Sequence, residues 1–137
     1  MAFSTSLKIP STHRALVLHS TRDPYDMSLE QQPTPQAGPG SAVVRVLAAG
    51  VLIYGGKVYS GKKPYHYPEP SVPGSSAIDR VAAVAPDATR LQPGQLVYFD
   101  SYVHGRDDPT SLILHGLSPG FTPGSNMLME SVWRDGT

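Results

Sequence analysis

The chain has 137 residues, enough for one domain of ordinary size, and no cysteine, so disulfides, thiolate metal sites and a cysteine nucleophile are excluded. Eleven basic and eleven acidic residues cancel to a formal net charge of zero, which argues against a general nucleic-acid surface or an anionic-membrane surface. Thirteen glycines and fourteen prolines penalise helix interiors and exclude long bundles and coiled coils, so a small, turn-rich, mainly β domain is expected.

Met1 to Thr12 is Ser/Thr-rich, has no apolar run of signal-peptide length, and reads as a loose leader. Ala15-Leu16-Val17-Leu18-His19 is a compact apolar run and the first expected strand. Turn chemistry follows at Arg22 to Asp26, and Met27 to Gln32 alternates as a second strand. The breaker cluster Pro33 to Gly40 is a loop. Ser41 to Val51 is β-branched and largely apolar, the strongest strand signal in the chain. A long stretch rich in Gly, Pro and Tyr comes next, with Tyr54, Tyr59, Tyr65 and Tyr67. It reads as an irregular loop of the kind that carries binding residues on a β scaffold.

Ala77 to Ala85 is a further strand by context, although its alanines also allow helix, and Pro86 to Thr89 is a turn. Gln92-Pro93-Gly94-Gln95 has proline second and glycine third, the pattern of a type II turn, and leads into the short strand Leu96 to Phe99. Asp100 to Gly124 reads as loop with an apolar patch at Leu112 to Leu114. Ser125-Asn126 is the expected cap of a short helix carrying Met127, Leu128, Met129 and Trp133 on one face. No apolar stretch approaches the ~18 residues of a membrane span, so a cytoplasmic protein without membrane partners is expected.

An ordered set of motifs then carries a resemblance. Val43-Val44-Arg45-Val46-Leu47-Ala48-Ala49-Gly50-Val51, Tyr59-Ser60-Gly61, Val72-Pro73-Gly74, the strand Val81 to Val84 with Asp87-Ala88, and Leu91-Gln92-Pro93-Gly94-Gln95-Leu96-Val97 follow one another over about 80 residues. In this order they resemble the N-terminal, GroES-like domain of the medium-chain dehydrogenase/reductase (alcohol dehydrogenase-like) family. The resemblance implies a partly open β-barrel with a few short helices over residues 13–137. Trp133 to Thr137 looks like the approach to a further strand of that domain, so an unpaired sheet edge is expected to invite self-association.

In zinc-dependent members a cysteine follows the Gly-Val step and a His-Glu pair follows the Pro-Gly step. Leu52, Ser75 and Ser76 stand there in this chain, and neither leucine nor a serine hydroxyl is a zinc donor of that kind. The resemblance therefore implies a zinc-independent branch acting on a small organic ketone, enone or alcohol. It also implies hydride from NAD(P)H only if a Rossmann domain supplies it, because no G-x-G-x-x-G is present. The implied substrate-side residues are Leu52, Tyr54, Tyr59 and Ser75, with Tyr54 the candidate catalytic hydroxyl. For each tyrosine, ring packing in the barrel mouth is the competing reading.

His66 is the sole histidine in the tyrosine cluster and reads as a surface residue. Asp100, His104, Asp107 and Asp108, with Arg106, read as a solvated, salt-bridged loop rather than a metal site. Gly55-Gly56-Lys57 is too short for a phosphate loop. Two other readings remain open at this point: a stand-alone ligand-binding domain or cofactor-free isomerase or cyclase on the same fold, and an inactive, truncated pseudo-enzyme.

Overall fold

Thr12–Ser20 places Ala15 and Val17 inward and Arg14 and Leu16 outward, the period-two pattern of a half-buried strand. In the computed structural model, which describes residues 8–22, 26–65, 68–105, 107–118 and 120–130, this strand is β1. It pairs antiparallel with β2 (Asp26–Pro33), with Leu16 opposite Leu29 and a bulge between Leu18 and Ser20. A second sheet has the order β3 (Ala42–Ala49), β4 (Ala77–Val84), β5 (Leu96–Phe99), all antiparallel. Two register shifts in β3, at Val43/Val44 and Val46/Ala48, add local twist. The third sheet is the hairpin β6 (Tyr102–His104) and β7 (Leu112–Leu114).

The expected fold class holds: the chain is mainly β with two short helices. The three sheets are not joined into a closed barrel. The buried apolar residues include Val17 and Leu18 of β1, Val81 of β4, Ile113 of β7, Val58, Leu117 and Met129. Two irregular segments stitch the sheets together. Leu18 and Ser71 exchange a pair of backbone hydrogen bonds, at 2.8 and 3.0 Å, and the Gly50 N–H donates to the Ser76 carbonyl at 2.9 Å. The segment 71–76 is thereby held between β1 and the end of β3.

The five expected strands are found with boundaries within three residues, and β5 spans Leu96 to Phe99 as read. The turn at Gln92 to Gln95 forms as expected, with Gly94 at φ 92° and Gln95 N–H donating to the Gln92 carbonyl. Three readings are corrected. Gly55–Tyr59, expected as loop, is a single helical turn, α1. Asp100 to Gly124, also expected as loop, contains β6 and β7, two strands of three residues each, too short for periodicity to reveal.

The second helix, α2 (Pro123–Leu128), starts earlier than Ser125. Thr122 is its cap, accepting from the Ser125 N–H at 3.1 Å, and Pro123 takes the first position, where a missing N–H costs nothing. Its buried face is Ser125 and Met129, one turn apart, while Met127 is 68% exposed, so Met127 is not part of the packed face. Trp133, the leader up to residue 7, His66, Tyr67, Arg106 and the 133–137 tail lie outside the described residues.

Candidate functional site

β3 ends at Ala49, and the chain turns through Gly50 to Tyr54 into α1. Tyr54 occupies the N-cap position of α1 and makes no side-chain cap hydrogen bond. Serine, threonine, aspartate or asparagine would cap this turn; a phenol does not serve that local purpose. Its ring is half-buried and lies beneath the Lys63 ammonium, 5.3 Å from the ring centroid. Its hydroxyl has no hydrogen-bond partner among the described residues. Before it, Val51 and Ile53 are 95% and 101% exposed, an apolar wall open to solvent, with Leu52 half-buried between them.

Tyr59 sits at the other end of α1 and has a different role. Its hydroxyl points toward the Gly116 carbonyl at 3.4 Å. Burial pushes its phenol above the ordinary range, while a backbone hydrogen bond with Gly74 pulls it back. Its ring passes Gly55, where an added Cβ would meet the ring at 3.4 Å and the Leu52 Cβ at 3.9 Å. The fold therefore brings Leu52, Tyr54 and Tyr59 around one turn of helix. Ser75 is 3% exposed and follows Gly74, whose backbone bonds Tyr59 from the buried layer below.

That layer contains residues the sequence did not single out. His115 follows β7 and donates from Nδ1 to the Gly74 carbonyl at 3.1 Å, a contact that fixes the proton on Nδ1. Its ring meets Phe99 edge-on at 4.9 Å between centroids. Burial lowers its pKa to about 4, so the imidazole is neutral at pH 7. Gly116 has φ 63°, and a Cβ there would lie 1.8 Å from the Gly74 carbonyl oxygen. Only glycine allows this crossing of the 114–118 turn over the 71–76 segment. The one available signal was the His-Gly pair after an apolar triplet, which reads as an ordinary turn.

The positions that the resemblance aligns with zinc ligands do not fit the ion. Leu52 has no lone pair, Ser75 is a buried hydroxyl, and no group of three or more His, Cys, Asp or Glu side chains converges among the described residues. Asp108 instead accepts from Thr110 and Ser111 within its own loop, which holds its carboxyl below the usual range. All described strand pairings are antiparallel, so no parallel-sheet dinucleotide crevice is present among the described residues. An open depression of about 470 Å³ runs along α2, lined by Pro123, Asn126, Met127 and Glu130, and shares no residue with the tyrosine site. No helix among the described residues is long and apolar enough to cross a membrane.

Among curated proteins, no sequence matches this chain. Solved structures resemble it in fold, among them two crotonyl-CoA carboxylase/reductases. One is a crotonyl-CoA carboxylase/reductase, 22% identical with a TM-score of 0.64, covering 82% of this chain and 31% of that one. The other is the crotonyl-CoA carboxylase/reductase AntE in complex with NADP, 24% identical with a TM-score of 0.57, covering 73% of this chain and 27% of that one. The chain thus spans about a third of the length of these structures or less. The model of the alcohol dehydrogenase GroES-like domain matches residues 38–127, which include β3 to β7, α1 and the tyrosine site. The chain belongs to the alcohol dehydrogenase GroES-like domain family.

Proposed function

We propose that these residues form the substrate side of a zinc-independent oxidoreductase of the medium-chain type. The substrate is a small organic ketone, enone or alcohol, and the nicotinamide cofactor is supplied by residues outside these 137. The observation that carries the reading is the contrast between the two tyrosines of α1. The Tyr59 hydroxyl is turned inward onto Gly116, whereas the Tyr54 hydroxyl has no hydrogen-bond partner among the described residues and follows the solvent-exposed Val51 and Ile53 in the chain. A donor beside an apolar wall suits a carbonyl compound: the wall holds the carbon skeleton, and the hydroxyl donates to the oxygen as negative charge develops on it. In this reading Leu52 adds to the apolar lining, with Tyr59 and the buried Ser75 as further substrate-side residues. NADP in the fold neighbour AntE fits this division of labour. The cofactor brings the hydride, and this chain binds and orients the acceptor.

The test is binding and turnover of a panel of small ketones and enones with the purified chain. Ketone binding followed by amide chemical shifts should centre on residues 51–59 and weaken on Tyr54→Phe by about fivefold, the worth of roughly one hydrogen bond. NADPH oxidation by the chain alone should be absent. Binding unaffected by Tyr54→Phe, or NADPH-dependent turnover by these residues alone, overturns the proposal.

A further inference from the structure

Although the whole chain is neutral, the site region is not. From residue 31 to residue 68 there is no Asp or Glu, while Arg45, Lys57, Lys62 and Lys63 contribute four positive charges. Three of the four lie within seven residues of one another, around α1. The backbone gathers two of them. Gly61, at φ 71°, reverses the chain after α1, and the Lys63 N–H then donates to the Lys57 carbonyl at 3.0 Å. Lys57 is three residues after Tyr54, one turn of helix, and the Lys63 ammonium stands over the Tyr54 ring. Lys57 and Lys62 are exposed and Lys63 is half-buried. Among the described residues, the single ion pair is between His19 and Glu30, on the other hairpin. The Lys63 ammonium over Tyr54 and the exposed Lys57 one helical turn on therefore carry positive charge that no described carboxylate neutralises.

Unneutralised cations beside a hydrogen-bond donor and an apolar wall recognise an anion attached to an organic body. We infer that the substrate of this site carries an anionic oxygen group, and that Lys57 and Lys63 hold it while Tyr54 meets the carbonyl. The inference rests on the substrate-side reading and deepens it. A carboxylate on the substrate and a phosphate on another molecule share this chemistry; the placement of Lys63 directly over the candidate catalytic ring favours the substrate's own carboxylate.

The decisive comparison uses the full 137-residue chain and three probes: levulinate, its neutral methyl ester, and inorganic pyrophosphate. Affinities are read from amide chemical shifts at low salt. Levulinate should bind about tenfold more tightly than the ester, as expected for a charge-assisted contact. The preference should shrink as salt rises, because exposed charges are screened. Lys57→Gln with Lys63→Gln should reduce levulinate binding to the level of the ester, with the ester unaffected and the amide spectrum still dispersed. If ester and acid bind equally around Tyr54, the inference falls and the substrate-side reading stands. If neither binds, both fall. If pyrophosphate binds through the same lysines and displaces levulinate at lower concentration, the lysines serve a phosphate-bearing molecule and the inference falls.

Discussion

The middle of β4 and the turn after β7 each bury an ionisable side chain, with opposite consequences. Asp79, in the centre of the three-stranded sheet, is 1% exposed, and neither carboxylate oxygen has a hydrogen-bond partner among the described residues. Its strand neighbours across the sheet are Val46 and Val97. Burial pushes its carboxyl above the ordinary range, the only resolved cause of its shift. His115, by contrast, spends its Nδ1 proton on Gly74 and its ring on Phe99, and burial lowers its pKa to about 4. Depth alone does not decide whether a titratable group helps a fold. A neutral imidazole with a carbonyl to bond fits a dry layer, whereas a carboxylate among valines does not.

The most severe way to break the His115 region is at its neighbour. Gly116→Ala places a Cβ against the Gly74 carbonyl at a positive φ, and should cost about 3 kcal/mol or more in chemical denaturation. An unchanged denaturation midpoint would show that the crossing of the two segments is looser than described.

Protonation separates the two sites next. The native His115 resists protonation, so the unfolded chain takes up the proton first as pH falls below about 6.5. Stability from this residue is therefore full above about pH 6.5 and is lost progressively down to about pH 4, by about 3 kcal/mol in total. His115→Phe should flatten that part of the stability–pH curve; a curve with the same slope in the variant would remove His115 as its source.

Asp79 should show the reverse sign. A carboxyl raised in the native state favours folding where it is protonated, and that contribution is lost as pH rises above the unfolded value near 3.9. Asp79→Ala should therefore stabilise the chain at pH 7 by about 1–2 kcal/mol, and by less as the pH approaches 4. A destabilised variant at pH 7 would mean that the carboxylate has a role its surroundings do not reveal.

Legibility of the sequence followed the length and regularity of each element. Ala42–Ala49 is legible from its β-branched run, and Ala77–Val84 from its context between turns, since its alanines also allow helix. The Gln92–Gln95 turn was read because proline and glycine each impose a backbone angle. β6 and β7 were missed because three residues carry no measurable period. α1 was missed because its five residues begin with two glycines, which favour a loop on propensity alone. Tyr54, Tyr59 and Leu52 were placed together through motif order, but nothing in their spacing distinguished the inward phenol from the outward one.

By itself the sequence determined the strand-and-turn grammar and the family. These depend on local backbone preferences and on residues close together in the chain. Tertiary structure alone decided that Gly116 lies on Gly74, that His115 is a buried neutral partner, and that Asp79 is buried with no partner among the described residues. Those facts join residues 41 to 57 positions apart, such as Gly74 with His115 and Tyr59 with Gly116, or depend on which face of a strand is covered. Solvent exclusion, which sets the charge state of each group, exists only once distant segments have closed over it.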